Sequence, residues 1–277
     1  MKDKRVENIQ IHKVGSDKMD EVADKVAVEE PLQIQLLYST ATGQMLKDIA
    51  VTMRTPGNDE ELAAGFLFTE GIIKDPQSIN EIKRSHSDEN IVQVVLKENI
   101  IPAMGNAARN FYTTSSCGVC GKASIDAINT VSVFAAGKDN LLINASLLYH
   151  LQDTIKEQQQ VFEDTGGIHA SALFDCGGKF ILLREDVGRH NALDKIIGAA
   201  LMKNELPLNG CLLFLSGRAS FELVQKAVMA GIKMIAAVGA PSSLAVEMAK
   251  ENGITLIGFL KSNRFNVYCG KDRINLK

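Results

Sequence analysis

The sequence predicts an α/β protein in two parts: a main domain with a mostly parallel sheet and flanking helices, and a smaller α+β N-terminal domain. Two observations carry this. The apolar runs CLLFL, KMIAAV and ITLIGFL are short and continuous, as strands buried on both faces are, and helix-period segments separate them. Strands alternating with helices of this length imply parallel pairing, with helices packed on the sheet faces. Earlier in the chain, strand patterns instead cluster around a single helix pattern. The expected organisation is a flexible tail over residues 1–20, the small α+β unit over 21–112 and the main domain over 113–277.

Taken in order, residues 1–20 are polar and read as a loose tail with one short strand. Residues 32–38 and 49–54 read as strands about a turn at Ala41, Thr42 and Gly43. Thr55-Pro56-Gly57-Asn58 is a turn, and Asn58 followed by Glu61 resembles a helix cap. Leu62, Phe66 and Leu67 supply the apolar stripe of that helix, and Gly71 ends it. Residues 91–96 form another strand. The small, polar, Gly-rich run TTSSCGVCG at 113–121 reads as a flexible loop, with helices expected at 122–129 and 146–162. A strand over 169–174 turns at Cys176-Gly177-Gly178 into a strand over 180–184. Helices over 191–202, 221–230 and 243–251 then alternate with strands over 211–215, 233–238 and 254–259.

Composition narrows the function. The 277 residues are 45% hydrophobic with a formal net charge of -3, so no basic excess points to a nucleic-acid partner. No apolar run follows the N-terminal charges and none reaches membrane-spanning length. A soluble cytoplasmic protein is expected, in a pool that keeps thiols reduced. The five cysteines, Cys117, Cys120, Cys176, Cys211 and Cys269, are odd in number and mostly scattered, so they form no disulfide framework.

The pair Cys117-Gly118-Val119-Cys120 is the sharpest local feature. The thiolate is the reactive form of cysteine, and a helix start or a cation lowers its pKa. A helix is expected from Lys122, so both influences favour a thiolate here. Gly118 and Gly121 let the loop present either sulfur. The same pair also suits half of a zinc site, which would need two further ligands, or a redox dithiol.

The turns Ser216-Gly217-Arg218 and Gly239-Ala240-Pro241-Ser242 join buried strands to helices. Parallel sheets bind ligands at the carboxyl ends of their strands, and helix starts offer free amides to phosphate. Such turns are also ordinary caps. Glu185-Asp186-Val187-Gly188-Arg189-His190 offers acid–base groups or a structural ion-pair network. His169 either lines a pocket or is a satisfied histidine. The closing run Phe259, Leu260, Lys261, Ser262, Asn263 and Arg264 places two cations near a strand's carboxyl end.

Taken together, TPGNDEELAAGFLFTEGII, TTSSCGVCGKASI, EDVGRHNALDKIIG, LSGRASFELVQKA and GFLKSNRFNVY resemble the formate dehydrogenase accessory sulfurtransferase (FdhD) family, from about residue 33 to residue 268. The resemblance implies a cytidine-deaminase-like main domain without a resident metal. It implies sulfur taken as a persulfide from a cysteine desulfurase and passed to molybdenum in a bis-molybdopterin guanine dinucleotide cofactor, as formate dehydrogenase requires. Cys117 would bear the persulfide with Cys120 as companion, and residues 259–264 would bind the cofactor. Ser216, Gly217 and Arg218 suit its phosphates, and GDP is the natural fragment ligand. A homodimer is compatible with this reading. The rival is a cofactor-binding chaperone without sulfur turnover. A zinc deaminase would need a His-x-Glu with Pro-Cys-x-x-Cys, but Ser116 precedes Cys117.

Overall fold

The computed structural model describes residues 3–85, 88–104, 132–134 and 141–276. Strands β1 (Val6–Val14) and β2 (Met19–Ala27) pair as an antiparallel hairpin. The N-terminal residues are therefore not a loose tail. Their charged side chains hide the strand signal, because the ribbon is exposed along most of both strands and needs no apolar alternation. A four-stranded sheet follows, made of β3 (Glu30–Thr40), β4 (Gly43–Arg54), β5 (Ile79–Arg84) and β6 (Ile91–Leu96), in the order β4-β3-β6-β5. Helix α1 (Asp59–Thr69) connects β4 to β5.

Asn58 precedes α1 as expected, but its side chain makes no capping bond. Its backbone is left-handed, at φ 56° and ψ 34°, and only its carbonyl engages the helix, accepting from Leu62 N at 2.9 Å.

The second part holds β7 (Ile143–Asn144), α2 (Ala145–Gln158), α3 (Gln160–Thr165), β8 (His169–Asp175), β9 (Phe180–Asp186), α4 (Arg189–Met202) and β10 (Cys211–Leu215). It continues with α5 (Phe221–Met229), β11 (Met234–Ala237), α6 (Ser243–Glu251), β12 (Thr255–Lys261), β13 (Arg264–Cys269) and β14 (Ile274–Asn275). The single helix expected over 146–162 is two helices, broken at Gln159 with φ -86° and ψ 73°. The Glu185 carboxylate on β9 accepts from the Val161 and Phe162 amides, at 3.2 and 2.9 Å, and so caps α3 across the fold. A cap contributed by a distant strand leaves no local sequence signal. The helix expected over 122–129 lies outside the described residues.

The main sheet is mixed rather than mostly parallel. Its order is β13-β12-β11-β10-β8-β9, and only β10–β11 and β11–β12 are parallel. β8 runs antiparallel to both neighbours, and β13 returns beside β12 through a two-residue turn. The three apolar runs are the parallel, central strands. The hairpin partners that make the sheet mixed are shorter of apolar residues and carry the weaker signal.

One buried cluster joins the two parts, from Leu32, Ile34 and Leu62 to Leu193, Leu213 and Leu223. The boundary drawn between residues 112 and 113 lies outside the described residues. Helices α1 and α4 cross so closely that a methyl on Gly65 would overlap the Asp194 carbonyl, and one on Gly198 the Glu61 carbonyl. Around this crossing, buried Lys226 meets Asp194 at 2.9 Å and Glu70 at 3.3 Å, while Thr69 donates to Asp194 at 2.8 Å. Burial alone would push the Lys226 ammonium down, but Asp194 and Glu70 outweigh it and leave its pKa raised.

Gly198→Ala should therefore destabilise the protein by about 2–3 kcal/mol, as overpacking against backbone does. Lys226→Ala strands buried carboxylates and should cost about 3–5 kcal/mol. Arg84→Ala, which removes the solvent-facing pair with Glu60, should cost less than about 1 kcal/mol. Urea unfolding midpoints give all three, and equal losses would refute this ordering.

Candidate functional site

Strands β9, β10, β11 and β12 all run in one direction, so their carboxyl ends share one edge of the sheet. The edge is laced by backbone hydrogen bonds. Gly239 N donates to Gly217 O at 2.9 Å, and Phe259 N donates to Gly239 O at 3.2 Å. Ser242 N donates to Ala219 O at 3.1 Å. The turns after β10, β11 and within β12 are thereby drawn against one another. Gly239 permits this, since a Cβ there would come within 3.0 Å of the Arg218 backbone.

The residues named from the sequence fall as follows. Ser216 Oγ accepts from Ala170 N at 2.8 Å, tying the end of β10 to the start of β8. Gly217 lies against the His169 ring. Arg218 is exposed. Ser242 is committed to capping α6, accepting from Ala245 N at 3.3 Å. Residues 259–264 are a bulged hairpin connection from β12 to β13, in which Lys261 pairs with Arg264 and Ser262 and Asn263 form the exposed turn. Phe259 is left-handed at φ 51° and 44% exposed. A bulky residue in that conformation stores about 1–3 kcal/mol of strain. Leu260 turns the other way, its side chain fully buried and its carbonyl accepting from Gln152. Cys117 and Cys120 lie outside the described residues. Among the described residues, no three His, Cys, Asp or Glu side chains gather as a metal site.

The polar run 185–190 resolves into separate roles. Asp186 is fully buried and pairs with Lys195 at 2.7 Å, a partner nine residues away that the run itself does not contain. Burial pushes the Asp186 carboxyl up, and Lys195 opposes this. His190 is buried, with Nε2 3.5 Å from Ser220 Oγ. Among the described residues Arg189 belongs to no ion-pair network, and its Nε is buried without a hydrogen-bond partner.

Among the described residues, Arg5, Arg54, Arg84 and Arg184 each pair with a carboxylate, and Arg273 donates to Thr255. The side chains of Arg189, Arg218 and Arg264 make neither a hydrogen bond nor an ion pair to the described residues. All three stand at the carboxyl edge, at the ends of β9 and β10 and the start of β13. At about 4.8 Å per strand, the row extends roughly 24 Å. Of these three, the sequence points to Arg218 and Arg264 as anion ligands; at Arg189 the acidic neighbours suggest an ion-pair network, but the folded chain gives Asp186 and Glu185 other partners.

This arrangement sits in a recognisable lineage. The FdhD/NarQ family profile matches residues 27–275. The chain belongs to the FdhD/NarQ family. Among family relatives, the protein named sulfur carrier protein FdhD from Mycolicibacterium paratuberculosis is 47% identical over 258 residues, covering 91% of this chain and 92% of the relative. The protein of the same name from Saccharolobus solfataricus is 37% identical over 270 residues, covering 98% of each. A crystal structure from Desulfotalea psychrophila, described as a formate dehydrogenase accessory protein, superposes with a TM-score of 0.73 at 23% identity. It covers 98% of this chain and 99% of that one, which establishes the shared fold.

Burial, and then the Arg189 cation, push the His169 pKa below the ordinary histidine value, against the pull of Asp186. The folded value lies below the unfolded one. The stability His169 contributes is therefore present above the unfolded value and lost as pH falls through the folded value. Its ring-proton NMR titration should have a midpoint below that of an exposed histidine, and Arg189→Ala should raise it. A midpoint unmoved by that substitution would place Arg189 away from the ring.

Proposed function

We propose that this chain is a sulfur carrier serving formate dehydrogenase. It takes sulfur from a cysteine desulfurase as a persulfide on Cys117 and delivers it to the molybdenum of a bis-molybdopterin guanine dinucleotide cofactor. The carrying observation is the CGVC pair within a chain that is 37–47% identical, along nearly its whole length, to proteins named as sulfur carriers. Three arginine side chains without a partner among the described residues support the cofactor half of the reading, because an anionic dinucleotide would supply counter-charge. The mixed six-stranded sheet with helices on its faces is compatible with a cytidine-deaminase-like body. No helix among the described residues is long and apolar enough to cross a membrane. A reducing cytoplasm would keep the working thiols free.

Loading is thiol–disulfide-type exchange. The Cys117 thiolate attacks the outer sulfur of the donor persulfide. That sulfur's bond to the donor cysteine breaks, a new S–S bond forms on Cys117, and the donor leaves as a thiolate. For delivery, the Cys120 thiolate attacks the inner sulfur of the Cys117 persulfide. A Cys117–Cys120 disulfide forms and the outer sulfur departs as sulfide, the ligand the metal receives. Cellular thiols then reduce the disulfide. Arg218, Arg264 and the backbone amides of the laced turns would hold the phosphates meanwhile, with residues 259–264 as the contact stretch.

Incubation with a desulfurase and cysteine should add the mass of sulfur to the wild-type chain, and Cys117→Ala should abolish this without unfolding the protein. A Cys117→Ala chain that still supports full formate dehydrogenase activity would end the carrier role. Separately, GDP should bind as a cofactor fragment. Arg218→Ala and Arg264→Ala should each weaken it by about tenfold, the loss of roughly 1.4 kcal/mol. Calorimetry showing unchanged affinity in both variants would move the cofactor off this edge.

A further inference from the structure

Cys176, Cys211 and Cys269 lie among the described residues, and none of them is in a disulfide. Cys176 and Cys211 come together at the end of the main sheet opposite the carboxyl edge. Cys211 opens β10, and its register partner on β8 is Asp175. Cys176 is the next residue, where β8 gives way to the turn into β9. A diagonal neighbour across an antiparallel pair has its Cα about 6 Å away. A disulfide spans Cα atoms about 4.4–6.8 Å apart.

The sulfur is drawn toward the same place. Cys176 Sγ donates to the Gly210 carbonyl at 3.1 Å. In a trans peptide that oxygen lies about 2.8 Å from the following Cα, here that of Cys211. The Cys176 sulfur is therefore within about 6 Å of the Cys211 Cα. The turn suits a thiol that must swing. Asp175 Oδ1 accepts from the Gly177 and Lys179 amides, each at 2.9 Å, which fixes the base of the turn. Gly177 is exposed and Gly178 is left-handed at φ 78°, so Cys176 is released from the alternation of the strand. The two thiols are also unequal. Burial, and then Cys176 and Asp175, push the Cys211 thiol up. Cys211 is thus the slower nucleophile, and Cys176 is the one a small oxidant engages first.

We propose that Cys176 and Cys211 form a second dithiol site, which hydroperoxides close into a reversible disulfide. The Cys176 thiolate attacks one oxygen of hydrogen peroxide. The O–O bond breaks, a sulfenic acid forms on Cys176, and the other oxygen leaves as hydroxide and is protonated to water. The Cys211 thiolate then attacks the Cys176 sulfur. An S–S bond forms, the S–O bond breaks, and the second oxygen also leaves as water. The two thiols give up two electrons and two protons, and the peroxide is reduced to two waters. A cellular dithiol reverses the link by exchange. The closed loop holds residues 177–210, and so β9 and α4, against the start of β10. This site is independent of the carrier reading and of Cys117.

The test is peptide mapping of the full chain by mass spectrometry, after brief hydrogen peroxide treatment and alkylation of the remaining thiols. The Cys176 and Cys211 peptides should appear joined, two hydrogens lighter than their sum, and separate again with a dithiol reductant. Cys211→Ser should leave Cys176 as a sulfenic acid that dimedone traps. Cys176→Ser should leave Cys211 an alkylatable thiol. In a chain carrying Cys117→Ala and Cys120→Ala, peroxide should raise the melting temperature by about 5 °C or more, and adding Cys211→Ser should remove that shift. Melts before oxidation establish that each variant is folded. The proposal is overturned if both thiols alkylate in full after peroxide, if Cys176 joins a different cysteine, if the joined peptides form only in urea-unfolded chain, or if the link leaves the melting temperature unmoved. Loss of sulfur loading on Cys117 would end the carrier reading and leave this one standing.

Discussion

The fold depends on the crossing of α1 and α4 at Gly65 and Gly198, where backbone meets backbone with no room for a side chain. Glycine in a helix interior costs about 1 kcal/mol relative to alanine. Two such residues facing each other are retained because the approach they permit joins the four-stranded sheet to the six-stranded one through a single core. The close approach also sets the polar chemistry around it. Helices this near bring Asp194, Thr69 and Lys226 within hydrogen-bond distance, and Glu61 on α1 forms two bonds with Arg184 on β9. These buried pairs need not add net stability over an apolar core. Their geometric demands do oppose any shift of one part against the other.

That fixed frame matters at the far end of α4. The helix that carries Gly198 begins at Arg189, directly after the turn that follows Asp186. Asp186 is clamped by Lys195 and by the Thr55 and Gly188 amides. The start of α4 is therefore pinned from both the first part and the second. Arg189 stands on this support with its Nε unsatisfied, in line with Arg218 and Arg264.

The sequence displays the fold where burial writes a periodic pattern and conceals it where partners come from afar. The central strands β10, β11 and β12 are legible because both their faces are buried. The hairpin β1–β2 is not, because exposed ribbons carry no apolar code. The break at Gln159 depends on Glu185, and the pairing of Asp186 depends on Lys195. Both are contacts made by folding rather than by sequence neighbourhood. The same reason explains the site. Gly217, Gly239 and Phe259 are separated by 22 and 20 positions, yet backbone bonds link them in series. Ser216, Gly217, Arg218 and Arg264 could be singled out by residue type and strand position. Arg189 could not, since its acidic neighbours look like partners until the structure engages them elsewhere. His169 stands out by residue type, but nothing in one sequence shows that Gln159 lines the same cavity.

Phe259 and Leu260 show how the edge is held open for a partner. Consecutive residues point in opposite directions, Leu260 into the core beneath α2 and Phe259 into solvent. That alternation is ordinary for a strand; the left-handed turn at Phe259 instead belongs to the bulge between Gly258 and Lys261. Its strain is balanced by the fully buried leucine, worth about 1.5–3 kcal/mol, and by the hydrogen bond from Phe259 N to Gly239 O. What this leaves uncompensated is the phenyl ring itself, apolar and exposed between the arginines of β10 and β13. On the proposed reading, a bound dinucleotide would supply what this edge lacks: negative charge for three arginines and a covering surface for one aromatic ring.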